Sequence, residues 1–247
     1  FVDYIENKPF RLFSYVEKGK WYPTDRAVVS LKNRLEAYRW GTQDWMETEK
    51  HLKSFTSQLN ALITHNFTNT QDALEIYASI KKWGGITKVD SVTPSDVIDN
   101  LRKIHEYTRS GISTPSPINS TWTKVYALAF PESFVIYDTR VAYAIVSIAE
   151  DIYRPSRSEG SHPEDNIKKF HRVFDAIGTM HTAARGGTRP RGVRYKSWPK
   201  AYQSWEAQLQ ANELCIGICN SLNSKKIGDR VNWSLREVEA VLFMEGY

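Results

Sequence analysis

The chain has 247 residues, of which 41% are hydrophobic and 13% aromatic, and a formal net charge of +5. This length is enough for one large domain or two small lobes, and the apolar fraction excludes a disordered protein. No apolar run approaches the length of a membrane span, so we expect no membrane partner. The two cysteines, Cys215 and Cys219, are too few for a disulfide framework or a zinc site. We expect both to be structural thiols on one helix face, in a reducing cytoplasm.

The N-terminal half predicts a short hairpin followed by helices. Residues 10–16 alternate apolar and polar side chains, which is typical of a hairpin strand or an extended arm. From about Arg26 the apolar residues recur at steps of three and four, which indicates a helix that ends near Gly41. Thr93, followed by Pro94 and by an acid in the first turn, predicts a helix start. Further helices are predicted in this half over about 42–63, 70–83 and 93–109.

The C-terminal half predicts a short helix, an extended connector and then longer helices. Pro131 ends a helix predicted over 120–130, and an apolar connector over 134–137 leads to Asp138. Asp138 has the position of an N-cap residue for a helix that reaches about residue 152. The sequence from Ser234 to Glu237 predicts a capping box at the start of the final helix. Two more helices are predicted near 164–180 and 198–222.

Together these elements predict an all-α fold, with about nine helices in one compact array and a short N-terminal hairpin. We expect a single domain over 1–247, acting as a monomer. Two lobes around a cleft are compatible with this order of elements. One lobe would contain residues 26–110 with the C-terminal helices, and the other would contain residues 111–181.

The segment from 120 to 141 contains the residues with the clearest chemical pattern. Lys124 follows a polar turn on a short helix, an apolar connector follows, and Asp138 begins an apolar helix. This arrangement resembles the helix-hairpin-helix DNA glycosylases, in which a lysine segment is followed by a Val-Asp-Thr-His-Val type segment. Residues 123–125 are similar to the lysine segment and residues 137–141 to the aspartate segment. The resemblance covers roughly residues 111–148.

The resemblance implies a DNA glycosylase that removes a damaged or modified base flipped out of double-stranded DNA, as in base-excision repair. Asp138 and Lys124 would be catalytic, and Trp122, Tyr137 and Arg140 would line the substrate pocket. An anti-phage branch that acts on modified phage bases would fit the divergence of the motif. We expect no cofactor, and no metal because the six histidines have no ligand spacing.

The expected chemistry explains why these residue types are needed. Breaking an N-glycosidic bond builds positive charge on the sugar, and a carboxylate at a helix N-terminus can stabilise that charge. Lys124 can attack C1′ only as the neutral amine, and it would then form a Schiff base that permits strand cleavage (an AP lyase step). If Lys124 is too distant, Asp138 would direct a water instead. The sequence leaves both routes open.

A second candidate region is basic. No acidic residue occurs between Asp175 and Glu206, and this stretch interleaves arginine, glycine and aromatic residues. Such a pattern favours phosphate contacts and base stacking. The residues expected to bind DNA are Arg185, Arg189, Arg191, Arg194, Lys196 and Trp198.

Other interpretations remain open at this point. Asp138 can be a simple helix cap, and Lys124 can be a surface lysine in the first turns of a helix. The chain would then be a non-catalytic helical DNA-binding or defence-associated protein, or an interaction module whose basic loop binds protein or RNA. The target base is not encoded in any local pattern, because a pocket is assembled from distant helices.

Overall fold

The computed structural model describes residues 1–16, 20–112, 114, 118–159, 171–178, 203–225 and 232–246. These residues are mainly helical, and the sheet among them is a two-stranded antiparallel hairpin. The expected all-α array with an N-terminal hairpin is therefore confirmed. Among the same residues, no helix combines the length and the apolar character needed to cross a membrane.

The N-terminal elements differ from the prediction in two places. A short helix, α1 (Val2–Asn7), precedes the hairpin strands β1 (Phe10–Val16) and β2 (Lys20–Val28). The helix expected from about Arg26 begins only at α2 (Leu31–Glu36). Residues 27 and 28 instead continue the strand, because they pair with Arg11 and Phe10.

The next helices follow the predicted order, with local signals at their ends. Asp44 caps α3 and Thr93 caps α5, each in a reciprocal capping box with an acid three residues later. Gly111 ends α5 in the left-handed conformation that glycine adopts without strain. These helices are α3 (Trp45–Thr64), α4 (Thr70–Trp83), α5 (Pro94–Ser110) and α6 (Ser120–Ala129).

The C-terminal part contains three long helices and a described helical segment at 171–176. The helices are α7 (Thr139–Glu159), α8 (Trp205–Lys225) and α9 (Leu235–Glu245). Ser234 caps α9 through the predicted capping box with Glu237. The helices predicted near 164–180 and 198–222 each lie partly outside the described residues.

The buried apolar side chains form two cores. One core joins α1, α2 and the hairpin to α7, α8 and α9. The other core joins α3, α4, α5 and α6. The segment between α6 and α7 separates them, since Val135 and Tyr137 enter the first core while Phe134 and Ile136 enter the second. This alternation is the side-chain geometry of extended chain.

Candidate functional site

Asp138 is positioned by the extended segment 134–137, which is held by side chains rather than by a neighbouring strand. Val135 N–H donates to Asn212 Oδ1 at 3.0 Å, and its carbonyl accepts from Gln208 Nε2 at 3.1 Å. Ile136 N–H donates to Glu239 Oε2 at 2.6 Å. The Arg236 guanidinium donates to the Phe134 carbonyl. Helices α8 and α9 therefore satisfy the buried backbone groups that lead to Asp138.

Asp138 is the N-cap residue of α7. Its Oδ1 accepts from the backbone N–H groups of Arg140 at 2.9 Å and Val141 at 3.3 Å. Two backbone donors and the positive end of the helix stabilise the charged carboxylate. The side chain is 16% exposed, so this charge lies near the surface of the molecule without facing open water.

Lys124 is a buried residue, only 4% exposed, and not the surface lysine considered as an alternative. Its Nζ donates to the carbonyl and to Oγ of Ser120, at 3.0 Å each, and lies 3.9 Å from Asp138 Oδ2. Burial lowers the pKa of Lys124 below its ordinary value, although the charges of Asp138 and Glu239 oppose this shift. The structure thus brings the two predicted catalytic residues together.

The aliphatic part of Lys124 passes directly over Gly84 at the end of α4. A Cβ atom at residue 84 would lie 2.9 Å from Cε and 3.0 Å from Cδ of Lys124. The absence of a side chain at Gly84 therefore leaves the space that Lys124 occupies. Residue 84 is the C-cap of α4, with φ of −69°, so its backbone places no special demand for glycine.

Lys124 and Asp138 border a cavity of about 30 Å³ where the two cores meet. Five of the lining residues are aromatic, and one further carboxyl group, Glu239 of α9, belongs to the wall. The lining residues are Tyr38, Trp40, Trp45, Leu52, Trp83, Lys124, Ile136, Asp138, Glu239, Ala240 and Phe243. A single water occupies about this volume in the liquid, so a nucleobase would need the walls to move.

Glu239 is the ionisable residue of this site that the sequence analysis did not identify. It is 7% exposed, and its Oε2 accepts from Ile136 N–H and pairs with Arg236. Burial raises its pKa to about 7, although Arg236 and the Ile136 N–H favour the charged form. A buried carboxyl that changes charge near neutral pH is typical of functional sites.

Arg140 lies against the outside of the aromatic wall. Its guanidinium carbon is 4.6 Å from the ring centre of Phe243 and 5.3 Å from that of Trp40. The backbone of Arg140 is also covered by Gly246, where a Cβ would come within 2.2 Å of the Arg140 carbonyl oxygen. Arg140 therefore adjoins the cavity without being one of its lining residues.

The other two expected pocket residues lie elsewhere. Trp122 is 1% exposed and packs against Tyr77 and Tyr126 in the second core. Tyr137 is fully buried in the first core. Trp122 lies two residues before Lys124 on α6, and Tyr137 directly precedes Asp138 in the extended segment. Each side chain therefore points away from its catalytic neighbour and into a core. The cavity aromatics come instead from residues 38–45, from Trp83 and from Phe243.

The expected DNA-binding residues of the basic segment, Arg185 to Trp198, lie outside the described residues. Within the described part of the chain, no group of three or more His, Cys, Asp or Glu side chains is arranged to hold a metal ion.

The sequence contained weak signals for Glu239 and for the cavity aromatics of residues 38–45, which were not identified. Glu239 is an acid between Val238 and Ala240 on α9, and all three residues are buried. The run from Tyr38 to Trp45 contains three aromatic residues in a short connection between helices. Neither pattern indicates by itself that these residues meet Lys124.

Comparison of the chain with protein-family models, with curated proteins and with solved structures gave no match.

Proposed function

We propose that this protein is a DNA glycosylase in which Lys124 and Asp138 act together on the sugar of a flipped nucleotide. The observation that carries the proposal is their contact, since a buried lysine amine lies 3.9 Å from a carboxylate at a helix N-terminus. Both residues border one cavity with aromatic walls. A buried lysine with a lowered pKa supplies a neutral amine more readily than an exposed one.

The proposed reaction begins with attack of the Lys124 amine on C1′. The new N–C bond forms as the glycosidic bond breaks, and the base leaves with the electron pair of that bond and then takes a proton. Asp138 stabilises the positive charge that develops on the sugar, and the Arg140 and Val141 N–H groups hold its carboxylate in place. Ring opening to a Schiff base then permits cleavage of the strand.

The aromatic walls support a planar ligand. Trp40, Trp83 and Phe243 offer ring faces on which a base can stack. The indole N–H of Trp83 is buried without an acceptor among the described residues, so it is available to a ligand acceptor. Because the cavity has room for about one water, base binding requires the walls to open. Arg140, which rests on two of these rings, is the side chain we expect to move.

The proposal is tested by incubating the protein with duplex DNAs that contain a panel of damaged and modified bases. Released bases are identified by mass spectrometry, and strand cleavage is followed on the same samples. We expect release of at least one base by the wild-type protein and loss of release in Asp138→Asn. If no DNA in the panel loses a base, the interpretation as a non-catalytic DNA-binding protein is favoured.

A further inference from the structure

Glu239 lines the same cavity as Lys124 and Asp138, but the proposed function gives it no role. Its Oε2 is engaged by the Ile136 N–H and by Arg236. Both contacts fall on Oε2, and none is made by Oε1 to the described residues. One oxygen therefore fixes the side chain, and the other is left without a protein partner in the described part of the chain.

The charged and titratable groups around Glu239 come from several elements. Arg236 is on α9 itself, Asp138 is at the start of α7, and Lys124 is on α6. Cys215 on α8 and Tyr38 after α2 are the other titratable neighbours. Two cations and one other carboxylate thus surround Glu239. With Glu239 charged, the formal charges of Lys124, Arg236 and the two carboxylates sum to zero, and moving the Lys124 proton to Glu239 leaves that sum unchanged.

Asp138 is closer to Lys124, but its carboxylate is already engaged as the N-cap of α7. Two backbone N–H groups, those of Arg140 and Val141, donate to its Oδ1. Glu239 lies deeper, and burial penalises its charge. Burial moves the proton affinities of Lys124 and Glu239 toward each other, since it lowers the pKa of the amine and raises that of the carboxyl. A proton moves between two groups at least cost when their affinities are similar.

We propose that Glu239 is the proton acceptor that converts Lys124 into its neutral, nucleophilic form. An N–H bond of the ammonium breaks and an O–H bond forms on Glu239 Oε1, so the nitrogen lone pair becomes free for attack. The cavity has the volume of about one water, which is enough for a single water to relay the proton. Asp138 takes no part in this transfer and is kept for the sugar. This inference rests on the proposed function for the attack step, but the coupling of the two groups does not depend on it.

The coupling is tested by carbon NMR of intact protein labelled at the glutamate carboxyl carbon, with Glu239 assigned through bonds in the wild-type protein. We expect Glu239 to titrate near neutral pH, and Lys124→Met to move its midpoint upward because a neighbouring positive charge is lost. A midpoint near the ordinary glutamate value of about 4.3 would overturn the proposal. A midpoint that Lys124→Met leaves unchanged would overturn it as well. Neither result requires glycosylase activity, so the outcome is separate from the test of the proposed function.

The kinetic consequence is tested with Glu239→Gln, whose amide oxygen can still accept from Ile136 N–H. On a DNA that the wild-type protein processes, we expect base release at neutral pH to fall by about a hundredfold or more. The wild-type rate should rise with pH as Glu239 loses its proton and then level off. The rate of the variant should continue to rise into the alkaline range, where hydroxide removes the Lys124 proton.

Asn212→Ala is the control, because it removes a support of the same segment without removing a titrating group. A loss in Glu239→Gln that is equal at every pH, as expected for Asn212→Ala, would assign Glu239 a structural role only.

Discussion

The Nζ atom of Lys124 lies 3.9 Å from Oδ2 of Asp138, although a helix end, a proline turn and an extended segment separate the two residues in sequence. The contact is possible because segment 134–137 returns along the boundary between the two cores. Side chains of α8 and α9 hold that segment in place. The geometry of the pair therefore depends on residues that are about 70 to 100 positions away in the chain, such as Asn212 and Glu239.

Asp138→Asn separates the electrostatic role of this residue from its capping role. Asparagine caps a helix about as well as aspartate, so the melting temperature should change little. Base release should fall by about a hundredfold or more, because a neutral amide cannot offset positive charge on the sugar. DNA affinity should be kept or improved, since one negative charge is removed. Asp44→Asn is the matched control, because Asp44 caps α3 in the same way. An unchanged rate of base release in Asp138→Asn would leave Asp138 as a cap alone.

Lys124→Met tests the nucleophile. Borohydride added during turnover should reduce the Schiff base and trap a covalent protein–DNA adduct in the wild-type protein, and the variant should form none. Lys81→Met is the control. Lys81 Nζ also pairs with a carboxylate, at 2.8 Å from Asp90 Oδ2, but Lys81 is not one of the cavity-lining residues. Base release at the wild-type rate by Lys124→Met would assign the attack to water directed by Asp138.

Gly84→Ala tests whether the position of the lysine amine matters. The new methyl group would overlap Cδ and Cε of Lys124, so the buried side chain must shift. Because misplacement of a reacting group by about 1 Å can cost up to about a hundredfold, we expect slower adduct trapping with a smaller effect on the melting temperature. Gly217→Ala is the control, because nothing lies within 4 Å of a Cβ at that position in α8. Equal trapping rates for the two variants would show that Lys124 tolerates the displacement.

Glu239→Gln should change how stability depends on pH. The folded protein raises the pKa of Glu239 to about 7, against about 4.3 in the unfolded chain. The folded state therefore holds the Glu239 proton more tightly, and the stability due to this proton is complete below the unfolded pKa. It is lost as pH rises from about 4.3 through about 7, and the loss is a few kcal/mol at most. Urea unfolding of both proteins at several pH values measures the difference, and parallel curves would contradict the raised pKa.

The basic segment remains a prediction from the sequence. Replacing Arg189, Arg191 and Arg194 with alanine should weaken DNA binding similarly for all sequences and flatten its salt dependence, because phosphate contacts release counterions. The measurement is the slope of log affinity against log salt. An unchanged slope would show that the segment does not contact DNA. The control for net charge replaces three exposed lysines of α3 and α5 with alanine, namely Lys50, Lys53 and Lys103.

Much of the secondary structure could be predicted because its signals are local. The capping boxes at Thr93 and Ser234 and the periodic apolar residues of α3 and α4 indicate their helices without tertiary information. The error at Arg26 has the opposite cause, since pairing with β1 decides whether residues 26–28 are strand or helix. Strand pairing is a non-local interaction, so apolar spacing alone could not distinguish the two.

The sequence by itself also determined which lysine and which aspartate were the candidates, because motif spacing is a property of one continuous segment. Only the tertiary structure decided that Lys124 is buried, that Trp122 and Tyr137 belong to the cores, and that Glu239 joins the site. Burial and the pKa values that follow from it depend on which helices cover a residue. Lys124 is covered at Gly84 by the end of α4, whereas Tyr137 and segment 134–137 are held by α8 and α9, from the far end of the chain. The packing of these helices is fixed by the sum of many weak apolar contacts rather than by any local pattern.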